Sequence, residues 1–213
     1  MESLKIPFLK LSESNSALSE ISLLLQKLES NAIRYAPWQK SFKKPSATFS
    51  LAYADDLLYI RYIVKEPHVI ATYTENNEPV YKDSCVEFFI AFENDPNYYN
   101  LEFNCLGTVL AAYGPRKENR IVLPKAVLKD IASETVITSY SNDHDITWEI
   151  TISIPLKTFL FHQLDHLSKK KCRVNFYKCG DDLPEPHFLC WNNIVNDTPN
   201  FHLPQYFGLG EFS

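Results

Sequence analysis

The chain has 213 residues, 45% of them hydrophobic and 14% aromatic, with a formal net charge of −5. That apolar content supports a packed core rather than disorder, and the charge offers no basic field for a nucleic-acid backbone, the only lysine run being residues 169–171. No apolar run approaches the roughly 20 residues of a membrane helix, and the opening "MESLKIPFLKLSESNS" lacks the charged-then-apolar order of a secretory signal, so a soluble, cytoplasmic protein with no nucleic-acid or membrane partner is expected.

The first periodic signal is a helix over 16–29, where Leu18, Ile21, Leu24, Leu25 and Leu28 recur at three- and four-residue spacing and Asn15 or Ser16 is available as N-cap. Residues 47–54 and 57–65 then read as two strands joined by a tight turn at Asp55 and Asp56. Further strands are predicted at 69–74, 84–92, 100–104, 109–113, 135–141 and 147–154, separated by turn-rich pieces such as "ENDPNYY" and "SNDHD". In "WEITISIP" the alternation places Trp148, Ile150, Ile152 and Ile154 on one face and Glu149, Thr151 and Ser153 on the other. Pro155 ends that strand and a short helix is expected over 157–167. The last strands are 172–179 and 188–191, before an irregular tail that starts at Asn192.

Many short strands, one small helix and no strand–helix alternation predict an all-β fold: an antiparallel two-sheet β-sandwich, jelly-roll-like, with a short N-terminal helix. No Gly/Ser- or Pro-rich linker divides the chain, so one domain over 1–213 is expected, with 1–46 a helical N-terminal extension packed on it. Cys85, Cys105, Cys172, Cys179 and Cys190 are odd in number and fall mainly in apolar runs, as reduced thiols do.

The dispersed glycines form no phosphate-cradling loop, and there is no serine nucleophile elbow. His162 and His166 share a helical face, but no Glu follows the first; a solvated surface accounts for them, and no metal or cofactor is called for. Met1 is the sole methionine, which makes Met/His haem ligation hard to build. Asn196-Asp197-Thr198 matches a glycosylation sequon, read as chance without a secretory signal. Asp83 with Glu87 offers the two carboxylates of a glycosidase, although nothing in the sequence sets an acid apart from a nucleophile.

Glu87 poses its own problem. It stands in "VYKDSCVEFFIAF" (80–92), an apolar strand in which an unpaired charge is costly. Alternation turns Val86, Phe88, Ile90 and Phe92 to the core and leaves Glu87 facing either a cleft or an arginine. Nearby in sequence stands Tyr81, and far downstream Trp191 is followed by Asn192 and Asn193. Aromatic plates with planar polar partners are what a sugar ring demands, with its apolar C–H face and its rim of hydroxyls.

Together with "YYNLEFNCLGTVLAAYG" (98–114), "WEITISIPL" (148–156), "RVNFYKCGD" (173–181) and "FHLPQYFGLGEF" (201–212), the 80–92 stretch resembles the family-9 carbohydrate-binding modules, specifically their stand-alone relatives in gut bacteria. The resemblance extends from about residue 47 to the end. It implies a β-sandwich without catalytic machinery that binds an oligosaccharide or polysaccharide of plant-cell-wall type, such as xylan, between two aromatic plates. By position Glu87 would accept sugar hydroxyls and Tyr81 would be the first plate, where characterised binders carry Trp. Trp191 would be the second plate, with Asn192 or Asn193 the amide beside it. Arg173 and Asn175 share a strand face and would line the same cleft, unless Arg173 pairs with Glu87 instead. Family members are often appended to xylan-degrading enzymes, so a separate glycoside hydrolase is an implied partner. A catalytic or accessory glycoside hydrolase domain and a sugar-independent interaction domain stay open as alternatives.

Overall fold

A computed structural model describes residues 1–11, 17–39, 45–139 and 145–213. Among these the chain runs through β1 (Ser3–Ile6), α1 (Leu18–Leu25), β2 (Asn31–Ala32), β3 (Ser46–Ala54), β4 (Leu57–Glu66), β5 (Cys85–Phe92), β6 (Tyr98–Asn104) and β7 (Val109–Gly114). It continues through β8 (Ile121–Val122), α2 (Lys125–Leu128), β9 (Ala132–Ser139), β10 (Ile146–Pro155), β11 (Lys171–Gly180), β12 (His187–Cys190) and β13 (Gly208–Phe212). The strands form two sheets. One has the order β1-β13-β11-β5-β6-β7-β8, with β12 also paired to β11; the other has the order β2-β3-β4-β10-β9. Every pairing between these strands is antiparallel except β1 with β13.

Alternation explains the sandwich. Trp148, Ile150, Ile152 and Ile154 of β10 are fully buried, as their spacing requires, and meet Val86, Phe88 and Ile90 of β5 in one core. Phe49 of β3 stacks on Phe176 of β11 across the gap, ring centroids 3.6 Å apart. Each such side chain contributes about 1.5–3 kcal/mol by leaving water. The other face of β10 is not open to solvent: α1 lies over it, packing Ile21 and Leu25 against Ala52, Ala54 and Tyr59. There Glu149 accepts from Arg61 Nε at 2.6 Å and from the Ser22 hydroxyl at 2.5 Å.

One charged cluster is sealed inside the sandwich. Lys178 and Glu66 are both fully buried, and Lys178 Nζ lies 2.9 Å from Glu66 Oε2. The same ammonium donates to the Cys179 carbonyl at 2.7 Å and to His187 Nε2 at 2.8 Å, while Trp148 Nε1 donates to Glu66 Oε1 at 2.7 Å. Burial and the neighbouring Lys178 push His187 down to about 3, so its ring is neutral and able to accept.

Several expectations need correction. Residues 69–74 join no sheet, because their amides are taken by side chains: Thr72 N and Tyr73 N donate to the Asp83 carboxylate at 2.9 and 3.1 Å, and Ile70 N donates to Ser84 Oγ at 3.1 Å. The helix expected over 157–167 is confined to a 3₁₀ turn, Leu156–Thr158. The N-terminal stretch is only partly helical, since residues 3–6 form β1 inside the larger sheet. The tail also holds β13, whose glycines allow close approach: a Cβ on Gly208 would come within 2.6 Å of the Trp191 ring, and one on Gly210 within 2.6 Å of Cys172 Sγ. The candidate caps Asn15 and Ser16, and most of the "SNDHD" turn, lie outside the described residues. No helix among the described residues is long and apolar enough to cross a membrane.

Candidate functional site

The face of the larger sheet that points away from the core carries the polar side chains. Glu87 of β5 lies opposite Glu102 of β6 on one side and Tyr177 of β11 on the other. Two carboxyls as cross-strand neighbours repel one another when both are ionised. Over them close Tyr81, Phe188 of β12 and the segment 199–202, leaving a cavity of about 160 Å³. Glu87, Glu102 and Asp181 make its acidic side, Lys117 and Arg120 its basic side, and Tyr81, Phe188, Phe201 and His202 its aromatic walls. Phe201 is fixed by stacking on Tyr177, centroids 4.2 Å apart, and Trp38 packs against both Phe188 and Phe201.

Burial governs the charges. Glu102 Oε1 accepts from Asn100 Nδ2 at 2.9 Å and lies 3.9 Å from Arg120 Nη1, whereas Oε2 is buried without a hydrogen-bond partner among the described residues. Asn100 Oδ1 beside it is in the same position. Desolvation outweighs the attraction of Arg120, and the Glu102 carboxyl is pushed up to about 7. Glu87 is also raised well above the usual carboxylate range, by burial first and then by Cys179 and Glu102. Its Oε1 accepts from the Cys179 thiol at 3.1 Å. His202 is pushed down to about 2 by burial, Arg120 and Lys117. Being neutral, it accepts at Nδ1 from the Tyr98 hydroxyl, 2.8 Å away.

Of the residues proposed from sequence, Tyr81 and Glu87 line this cavity; the other five do not. Trp191 is 4% exposed and belongs to the inter-sheet core, edge-on to Phe49 and Phe176 at 5.9 and 5.7 Å. Arg173 neither lines the cavity nor pairs with Glu87: it sits four residues along β11 from Tyr177, the partner of Glu87, a displacement of about 13 Å at strand rise. Its guanidinium donates to the carbonyls of Asp95 and Pro204 at 2.7 and 3.3 Å. Asn175 and Asn192 form a buried latch for the C-terminal segment, each donating from Nδ2 to the Tyr206 carbonyl. Asn192 N donates in turn to Asn175 Oδ1 at 2.9 Å. Asn193 is exposed and borders a separate depression with Pro37 and Asn196. Asp83 is also committed elsewhere, to Thr72 N, Tyr73 N and, at 2.9 Å, Asn104 Nδ2.

Glu102, Arg120, Asp181, Phe188, Phe201 and His202 also line the cavity and were given no role in a site by the sequence reading. Glu102 had a signal: in "YYNLEFN" it is a carboxylate inside an apolar strand, the same anomaly that marks Glu87. Phe188 lies in β12, a strand too short for alternation to fix its face, and the others stand on turns and loops, where no periodicity tells which side chain turns inward.

The sequence matches carbohydrate-binding family 9 over residues 17–212. Among solved structures, a proposed carbohydrate-binding protein from Bacteroides uniformis ATCC 8492 is 32% identical, with a TM-score of 0.90 over 100% of this chain and 99% of that one. A family-9 module from Caldicellulosiruptor kristjanssonii in complex with glucose is 13% identical, with a TM-score of 0.56 over 100% of this chain and 96% of that one. The cellotriose complex of a family-9 module from the same organism gives 13% identity and a TM-score of 0.59, over 99% and 93%. At these identities the two Caldicellulosiruptor structures speak to the fold. Nothing among curated proteins matches.

Proposed function

Because the chain belongs to carbohydrate-binding family 9, we propose that the cavity above Glu87 and Glu102 binds a saccharide, an oligosaccharide of plant-cell-wall type, without turning it over. The observation that carries this reading is that Glu102 lines the cavity while its Oε2 is a buried acceptor with no donor among the described residues, within reach of the cavity by a turn of the carboxyl. A sugar hydroxyl supplies the missing partner, a hydrogen bond that contributes about 0.5–1.5 kcal/mol while Glu102 holds its proton and about 1.5–3 kcal/mol once it ionises. Tyr81 then packs on one face of the ring and Phe188 with Phe201 on the other, taking the place first assigned to Trp191. Each plate adds on the order of 1 kcal/mol beyond area burial. The glucose and cellotriose complexes of the Caldicellulosiruptor modules lend a ligand class to test first.

Calorimetric titration with glucose and with cello-, xylo- and manno-oligosaccharides provides the test. Saturable binding to at least one of them is expected, weakened tenfold or more in Tyr81→Ala, with the circular-dichroism spectrum unchanged. Tyr81→Trp should maintain or improve it. No binding to any of these sugars, or affinity indifferent to Tyr81→Ala, would overturn the reading. Hydrolysis of xylan or aryl-xylosides that Glu87→Gln abolishes would put the glycoside hydrolase alternative in its place.

A further inference from the structure

The side of the cavity nearest β11 carries an arrangement that saccharide binding does not use. Cys85 and Cys179 face one another directly across β5 and β11, and Glu87 follows Cys85 by two residues on the same strand face. Sulfur from each cysteine and an oxygen of Glu87 all lie within 4.8 Å of one another. All three side chains are buried, and the thiol–carboxylate separation is 3.1 Å. Both strands are interior to the larger sheet, β5 being held between β6 and β11, so the donors are fixed by paired backbone rather than by loops.

We infer that Cys85, Glu87 and Cys179 form a binding site for one thiophilic divalent cation of the zinc class at the base of the cavity. In a tetrahedral site with sulfur at about 2.3 Å and oxygen at about 2.0–2.2 Å, neighbouring donors are about 3.6–3.8 Å apart. The observed donor set reaches that by side-chain adjustments of under about an ångström for the thiol–carboxylate pair, well within strand rotamer freedom. Two thiolates select zinc, cadmium or cobalt over magnesium and calcium, which take oxygen donors. Binding releases the two thiol protons, and any proton on Glu87, to solvent as the three metal bonds form. Cys179 and Glu87 line the cavity whereas Cys85 lies behind them, so the ion arrives through the cavity and its fourth position opens there to water. Cys105, Cys172 and Cys190 belong to no such cluster among the described residues and serve as internal controls.

The inference does not rest on the saccharide reading, and its test contains no sugar. Protein kept reduced with a phosphine under anaerobic conditions is titrated with Co²⁺ and followed by near-ultraviolet thiolate-to-cobalt charge transfer. A saturable band at one Co²⁺ per chain is expected. Cys85→Ser and Cys179→Ser should each remove at least half of it, Cys105→Ser should leave it unchanged, and Glu87→Gln should keep the band while weakening affinity tenfold or more. Circular dichroism of each variant verifies the fold. A wild-type protein that shows no charge-transfer band with Co²⁺ overturns the inference whatever the variants do, as does a band that persists undiminished in Cys85→Ser or Cys179→Ser or disappears in Cys105→Ser.

Discussion

Glu102→Gln isolates the cost of keeping a carboxylate under the cavity. In the folded protein this group holds its proton up to about 7, against an ordinary value of 4.5. Between those two values the native state therefore binds more protons than the unfolded chain, so stability falls as pH rises through the window and the full cost is present above about 7. At about 1.4 kcal/mol per pH unit, the interval corresponds to on the order of 3 kcal/mol. Gln retains the acceptor that Asn100 Nδ2 uses and cannot ionise. Urea unfolding of both proteins from about pH 4 to about pH 8 reads the difference directly. The stability gap between variant and wild type should widen in the variant's favour by on the order of 3 kcal/mol across the window; the variant itself should keep a residual slope, because Glu87 is raised as well. Parallel pH profiles for the two proteins would refute the assignment of a high protonation point to Glu102.

Trp191→Ala should destabilise the fold by about 3–5 kcal/mol, the cost of emptying an aromatic site in a packed core; a variant of unchanged thermal stability that merely binds sugar less tightly would return Trp191 to the role of a plate. Lys178→Met should cost about 3–5 kcal/mol by leaving Glu66 charged, buried and without its ammonium. Adding Glu66→Leu to Lys178→Met should recover part of that loss in chemical denaturation, the remainder reflecting Trp148 Nε1 left without its acceptor; no recovery at all would mean that the unpaired Glu66 is not the main source of the loss.

The sandwich was legible because its information is periodic. Trp148, Ile150, Ile152 and Ile154 declare one face of a strand in sequence alone, and the structure buries all four. Segment 69–74 misled for a related reason: its β-branched and aromatic residues suit a strand, but its hydrogen bonds go to Asp83 and Ser84 rather than to a neighbouring strand. Sequence carries no sign of that choice. β1 and β13 were hidden by their brevity and, in β13, by two glycines whose value lies in tight packing. At the cavity the same logic holds. Glu87 is conspicuous in an apolar strand, and Tyr81 is reached through its spacing from it. Trp191 follows a strand that alternates too briefly to fix its side, and one position of register separates a cleft wall from the core. Phe188, Phe201 and His202 come together only through the path of the C-terminal segment.

The parallel pairing of β1 with β13 has a mechanical consequence. Residues 3–6 run alongside residues 209–212 in the same direction, and Phe8 N donates to the Ser213 carbonyl just beyond them. Tension applied between residue 1 and residue 213 would slide these two strands past each other lengthwise, loading all of their cross-strand bonds at once instead of peeling them one by one. β13 is braced on its other edge by β11, so the sheet resists as a unit. Stretched between its ends, the molecule should act as a shear clamp, yielding at high force in a single step.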